Sequence, residues 1–382
     1  MKAVAAIDSL KGSLTSLEAG DAVREGILRA DPEAQVQVRP LADGGEGTVE
    51  ALTTGMGGTL RKVAVTGPAG RRVDAAYGIL DDGRAAVMEM SQAAGITLVS
   101  GPDRNPLTAT TYGVGEMILD AVRRGCREFI MGIGGSATND GGIGMLQALG
   151  FGLLDEDGHQ VPFGASGLHS LRRITTDHAL KELAECHFQI ACDVKNPLCG
   201  EEGCSAIFGP QKGADGAMVL QMDRWLSAYA ELVRQTFPDS DADYPGSGAA
   251  GGLGFALRTF LNADLQPGVR IVLEQTHLED SIREADLVIT GEGRLDAQTV
   301  MGKAPIGVAA IAKKYGKPVV ALTGSIGEDA RVCNEHGIDA IFPILQRTCT
   351  LEEAMDPETA RRNMADTAEQ VMRLFLAGRT RG

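Results

Sequence analysis

Short, wholly apolar runs alternate with polar loops and amphipathic stretches at both ends of this chain. Residues 3–7, Ala-Val-Ala-Ala-Ile, carry no polar position, which suits a strand covered on both faces. The loop Asp8-Ser9-Leu10-Lys11-Gly12-Ser13 follows. Thr15-Ser16-Leu17-Glu18 has the spacing of a capping box, and Ala19, Val23 and Ile27 then recur on one helical face. Asp31-Pro32 closes that helix. A second strand is predicted over 36–41, then Ala42-Asp43-Gly44-Gly45-Glu46-Gly47-Thr48, then a helix to about residue 54. The same rhythm returns near the other end. Strands are predicted over 286–289, 319–322 and 340–343, helices over 304–315 and 328–336, and a long polar-faced helix over 357–376. Strand and helix in alternation imply a parallel sheet with right-handed crossovers.

The middle has a different pattern. Strands over 60–66, 73–79 and 85–89 are separated by Gly-Pro and Asp-Asp-Gly turns with no helix of useful length, so an antiparallel meander is expected. A helix over 111–124 and a strand over 129–132 lead to the most glycine-dense loop, and a strand over 187–191 leads to Cys192-Asp193-Val194-Lys195-Asn196-Pro197. At 382 residues the chain exceeds one ordinary core. The expected fold is α/β. A discontinuous doubly wound parallel-sheet domain, Rossmann- or flavodoxin-like, is formed by residues 1–66 and 286–382, with a second α/β domain, residues 67–285, inserted.

Composition is that of a globular protein, 43% hydrophobic and 23% charged. A net charge of −15 argues against nucleic acid as partner, because phosphate backbones would be repelled. A small anion is still admissible where cations cluster locally. The seven cysteines contain no C-x-x-C pair, and the spacing of Cys192, Cys199 and Cys204 fits no recognised zinc site. Reduced, buried thiols and a cytoplasmic setting are expected. Asp8 interrupts the first apolar run, so no signal peptide is expected, and no membrane-spanning segment is expected either.

Candidate chemistry gathers in loops after strands, where ligands of open α/β sheets bind. The richest is Thr290-Gly-Glu292-Gly-Arg294-Leu-Asp296, running on to Lys303: glycines, carboxylates and cations together suit a phosphate arriving with Mg²⁺. Ser9, Lys11 and Ser13 offer hydrogen bonds and a cation, though a solvated loop explains them equally well. Asp43 and Glu46 are candidates for metal or proton transfer, or simply an acidic first helical turn. Gly134-Gly135-Ser136-Ala137-Thr138-Asn139-Asp140-Gly141-Gly142 has the composition of a phosphate-wrapping loop, yet no Walker A sequence occurs. Asp193 and Asn196 suit Mg²⁺ or a hydroxyl, or an Asn-Pro turn. No G-x-S-x-G elbow, kinase H-R-D loop, H-E-x-x-H pair or dinucleotide fingerprint after a clear strand is present.

Six motifs in order resemble the bacterial glycerate kinase type 1 family over nearly the whole chain. They are Asp8-Ser9-Leu10-Lys11-Gly12-Ser13, Ala42-Asp43-Gly44-Gly45-Glu46-Gly47, the 134–142 loop, Asp193-Val194-Lys195-Asn196-Pro197-Leu198, Phe208-Gly209-Pro210-Gln211-Lys212-Gly213, and Gly291-Glu292-Gly293-Arg294-Leu295-Asp296. The resemblance implies ATP-dependent, Mg²⁺-assisted phosphorylation of glycerate to 2-phosphoglycerate in a cleft between two α/β domains. On that footing Lys11, Asp43, Asp193 and Asp296 are expected to be catalytic. Ser9, Ser13, Glu46, Asn196 and Arg294 are expected to bind glycerate. Gly134, Gly135, Ser136, Thr138, Asn139, Asp140 and Lys303 are expected to hold ATP, with Asp193, Glu292 and Asp296 on the metal. A monomer or homodimer is expected. Alternatives are a kinase of another small hydroxy acid, a 3-phosphate-forming enzyme, a ligand sensor, or a dehydrogenase.

Overall fold

The computed structural model describes residues 1–42 and 47–379. Asp43 and Glu46, expected above to be catalytic and substrate-binding, lie outside the described residues. In chain order the strands are β1 (Lys2–Ile7), β2 (Gln35–Val38), β3 (Thr59–Thr66), β4 (Arg72–Ile79), β5 (Ala85–Glu89), β6 (Glu128–Gly132) and β7 (Gly152–Leu154). There follow β8 (Arg173–Thr175), β9 (His187–Ala191), β10 (Asp264–Gln266), β11 (Leu287–Leu295), β12 (Val319–Ile326) and β13 (Ala340–Pro343). Contacts divide the chain into two compact units. One is Met1–Asp43, Glu50–Met56 and Val269–Gly382; the other is Gly44–Val49 and Gly57–Gly268.

The first unit holds a wholly parallel sheet in the order β13-β12-β11-β1-β2. Strand β1 shows why its sequence lacks polar positions. Ala3, Ala5 and Ile7 pack with helices Ser16–Ala30 and Pro357–Arg379, while Val4 and Ala6 pack on the other face with Leu278–Glu284 and Ala304–Lys314. The predicted capping box forms: the Thr15 amide donates to Glu18 Oε2 at 2.8 Å, and the Glu18 amide donates to Thr15 Oγ1 at 3.2 Å. Gly26 lets the two helices meet, since a Cβ there would lie 2.0 Å from the Ala365 carbonyl oxygen. Counted within the unit, the strand order reverses between β1 and β11. The helices that follow them, Ser16–Ala30 and Ala304–Lys314, therefore lie on opposite faces of the sheet, which opens a crevice at the strands' carboxyl ends, the usual ligand position of such sheets.

Three boundaries differ from expectation. Strand β11 continues past residue 289 to Leu295, because Arg294 and Leu295 pair with Ser325 and Ile326 of β12. The Glu292–Arg294 segment is thus a strand and not a loop. Strand β3, expected with the first unit, is paired along its length with β4 and belongs to the second. Residues 269–285, expected in the insertion, return to the first unit, where Val269, Leu278 and Ile282 complete its core.

The second unit holds a mixed sheet, β10-β9-β6-β5-β4-β3. Strands β5, β6, β9 and β10 are parallel, and β3, β4 and β5 form the expected antiparallel meander. The loops after β6 and β9 leave the same edge of this sheet, which brings the 134–142 and 192–197 segments side by side.

Candidate functional site

In the first unit a pocket of about 430 Å³ opens at the carboxyl ends of β1, β11 and β12. Ser9, Lys11 and Ser13 reach it from the loop after β1. Glu292 and Arg294 reach it from β11, two residues apart and so on one side of the strand. Lys303 joins them from the N-cap of helix Ala304–Lys314. Six residues singled out from sequence therefore share one cavity.

Charges in the pocket are arranged, not scattered. Glu292, with its side chain 10% exposed, accepts from Thr299 Oγ1 at 2.7 Å and from Lys303 Nζ at 3.1 Å. Asp296 does not line the cavity. Its Oδ1 accepts the Gln298 amide at 2.9 Å, and its Oδ2 lies 3.4 Å from Arg294 Nε. Asp296 thus ties the turn after β11 and aligns Arg294, whose side chain is 67% exposed.

In the second unit the 134–142 loop is double-sided. Gly134 and Gly135 are exposed, while Thr138, Asn139 and Asp140 are fully buried. Asp140 accepts from the Thr111 amide and hydroxyl at 2.9 Å each and from the Gly142 amide at 3.0 Å. Burial pushes its carboxyl above the ordinary range, and these hydrogen bonds pull the other way. Asn139 Nδ2 donates to Ser205 Oγ at 2.8 Å. The buried Lys212 ammonium donates to the Thr138 carbonyl at 2.6 Å, and burial lowers its pKa from 10.5 to about 8. From the far side Gly251, with φ of +68°, presses its backbone against Thr138 and Asn139; a Cβ there would lie 2.1 Å from the Thr138 carbonyl oxygen. Thr138, Asn139 and Asp140, expected to touch ATP, are buried inside the loop; Asp140 is bonded to its neighbours, whereas Thr138 Oγ1 and Asn139 Oδ1 meet no partner. Ser136, also expected there, is only 7% exposed. Asp193 is exposed, and its Oδ1 accepts the Gly268 amide at 3.1 Å. Asn196 donates to the Glu202 carbonyl at 2.8 Å.

Comparison with known proteins bears on this geometry directly. A model of the glycerate kinase family matches residues 3–376. The chain is 48% identical over 354 residues to the glycerate 2-kinase of Escherichia coli K12, covering 93% of each chain. It is 46% identical to the glycerate kinase of Haemophilus influenzae, covering 98% of this chain and 99% of that one. A crystal structure of a candidate glycerate kinase 2 from Salmonella typhimurium LT2 superposes with a TM-score of 0.91 at 46% identity, covering 99% of each chain. The chain belongs to the glycerate kinase family.

It is accordingly an enzyme, a glycerate kinase that transfers a phosphoryl group to an alcohol. Among the described residues no helix is long and apolar enough to cross a membrane. All seven cysteines are free thiols, and Cys192, Cys199 and Cys204 are each shifted up by burial, which keeps them protonated. Of the three acids expected on the metal, Glu292 and Asp296 belong to the first unit and Asp193 to the second. Among the described residues the only cluster with ligand geometry is Asp155, Asp157 and His159, on a surface turn. Mg²⁺ bound with substrate phosphates usually needs only one or two carboxylates from the protein. Among the described residues the pocket is lined by two carboxylates, Asp8 and Glu292.

Sequence reasoning missed one whole side of this kinase's pocket. Leu10, Ile344, Leu345, Leu351, Ala354 and Met355 form an apolar wall. Leu351, Ala354 and Met355 belong to a short helix, Leu351–Met355, capped by Thr350 and Glu353 in a second capping box. The Thr-x-x-Glu spacing was the signal available. Nothing local shows that so short a helix folds back against the loop after β1.

Proposed function

We propose that the chain uses ATP with Mg²⁺ to phosphorylate D-glycerate on its C2 hydroxyl, giving ADP and 2-phosphoglycerate. The observation that carries this reading is the pocket grouping Lys11, Arg294 and Lys303 around Glu292 at the carboxyl ends of parallel strands. The name of the Escherichia coli relative supports the position of attack. Phosphoryl transfer needs in-line placement and charge neutralisation more than covalent help. As the glycerate oxygen bonds to the γ-phosphorus, the bond to the ADP oxygen breaks and the hydroxyl proton passes to a carboxylate. Asp43 and Asp193 are the acids proposed to orient that hydroxyl.

Lys11 balances charge on the group in transit. Arg294, freed from Asp296, offers a planar fork suited to carboxylate or phosphate. The exposed N–H groups of Gly134 and Gly135 serve the phosphoryl oxygens, and Ser9, Ser13 and Asn196 supply hydrogen bonds. Residues of both units are thus proposed to be needed for turnover. Mg²⁺, held through Glu292 and phosphate oxygens, would add positive charge where negative charge builds. A cytoplasmic monomer or homodimer is the proposed state.

Phosphorus NMR of the product made from D-glycerate and ATP tests the reading. A 2-phosphate couples to one carbon-bound proton and gives a doublet. A triplet would assign the reaction to C3, and absence of ADP release would remove the nucleotide from the scheme.

A further inference from the structure

The cavity in the first unit is too large and too greasy for glycerate alone. Its volume of about 430 Å³ lies in the range of pockets that enclose drug-sized ligands, several times the bulk of a three-carbon acid. Glycerate carries a polar group on every carbon, so it has no surface that gains from an apolar wall. Yet six of the lining residues are apolar, and three of them are open to solvent: Leu351 is 75% exposed, Leu345 37% and Met355 36%. Exposed apolar side chains grouped in a concave site mark a surface that a ligand covers.

Polarity is also divided within the cavity. The wall from Leu10, Ile344, Leu345 and helix Leu351–Met355 is apolar, while Lys11, Arg294 and Lys303 supply three cations beside the carboxylates of Asp8 and Glu292. A purine nucleotide has the same division: flat apolar base faces at one end, polyphosphate at the other. Neither a free phosphate nor a hydroxy acid matches both halves.

We propose that the wall of Leu10, Ile344, Leu345, Leu351, Ala354 and Met355 is the adenine subsite, with the nucleotide phosphates directed toward Lys11, Arg294 and Lys303. This rests on ATP being the phosphoryl donor. It assigns the nucleotide to the first unit.

Two variants test it with a readout other than turnover. Leu351→Asp places a carboxylate on an exposed helical position, where folding does not depend on the leucine; Ala354→Phe narrows the wall. Calorimetric titration with ADP and with tripolyphosphate separates base from phosphate recognition, and the KM for D-glycerate reports the acid. The expected result is ADP binding weakened about tenfold in both variants, the worth of roughly one buried apolar group. Tripolyphosphate affinity and glycerate KM should stay within about twofold of wild type, well under that change. Unchanged ADP affinity overturns the subsite, as does an equal loss of tripolyphosphate binding or a rise confined to glycerate KM. Wild-type protein that makes 2-phosphoglycerate while these variants bind ADP normally would refute the subsite and leave the proposed reaction standing.

Discussion

Replacing Lys212 by Met gives the sharpest test of how the glycine loop is held. Lys212 is 1% exposed and donates to the Thr138 carbonyl at 2.6 Å, with Asp140 and the Cys204 thiol as its titratable neighbours. Its pKa falls from 10.5 to about 8 because burial disfavours the ammonium. Between those values the unfolded chain binds one proton more than the folded one, so this residue makes stability rise with pH. Below about pH 8 its full penalty applies; above about 10.5 it vanishes. Linkage over pH 7.5 to 9.5 gives a gain of about 2 kcal/mol in wild type relative to Lys212→Met. Losing the bond to Thr138 adds an offset of about 1–3 kcal/mol that does not vary with pH. Urea unfolding followed by fluorescence suits the purpose. Trp225 is the only tryptophan, and it packs on the core of the second unit. A wild-type-minus-variant difference that stayed flat from pH 7.5 to 9.5 would refute the picture of a desolvated ammonium under the loop.

Other outcomes follow from named contacts. Lys11→Ala should lower kcat by about 10²-fold or more with the fold intact, as loss of one transition-state donor does; near-normal turnover would remove Lys11 from catalysis. Glu292→Gln should raise the Mg²⁺ concentration for half-maximal rate about tenfold or more. Asp296→Asn should change that titration less, because its carboxylate faces the turn and Arg294; the reverse ranking would put Asp296 on the metal. Gly26→Val should destabilise the first unit by about 3 kcal/mol, since the added carbons meet the Ala365 carbonyl; an unchanged thermal midpoint would contradict the helix contact. Thr15→Ala should cost about 1 kcal/mol through the lost cap, measured the same way.

Much of the chain could be read locally because the determining forces are local. Apolar residues 3–7 specify a strand buried on both faces, and Thr15 with Glu18 caps a helix whatever surrounds it. Six motifs in order also carried the family, and with it the reaction class. Tertiary structure decided what no window of sequence contains. Whether Glu292 and Arg294 lie on a strand depends on β12 pairing beside them, and Thr138, Asn139 and Asp140 turn inward because Lys212 and Gly251 arrive from distant segments. Burial and pairing are properties of neighbours remote in the chain. The side of the pocket built from Leu351–Met355 therefore appeared only once the fold had brought it against the loop after β1.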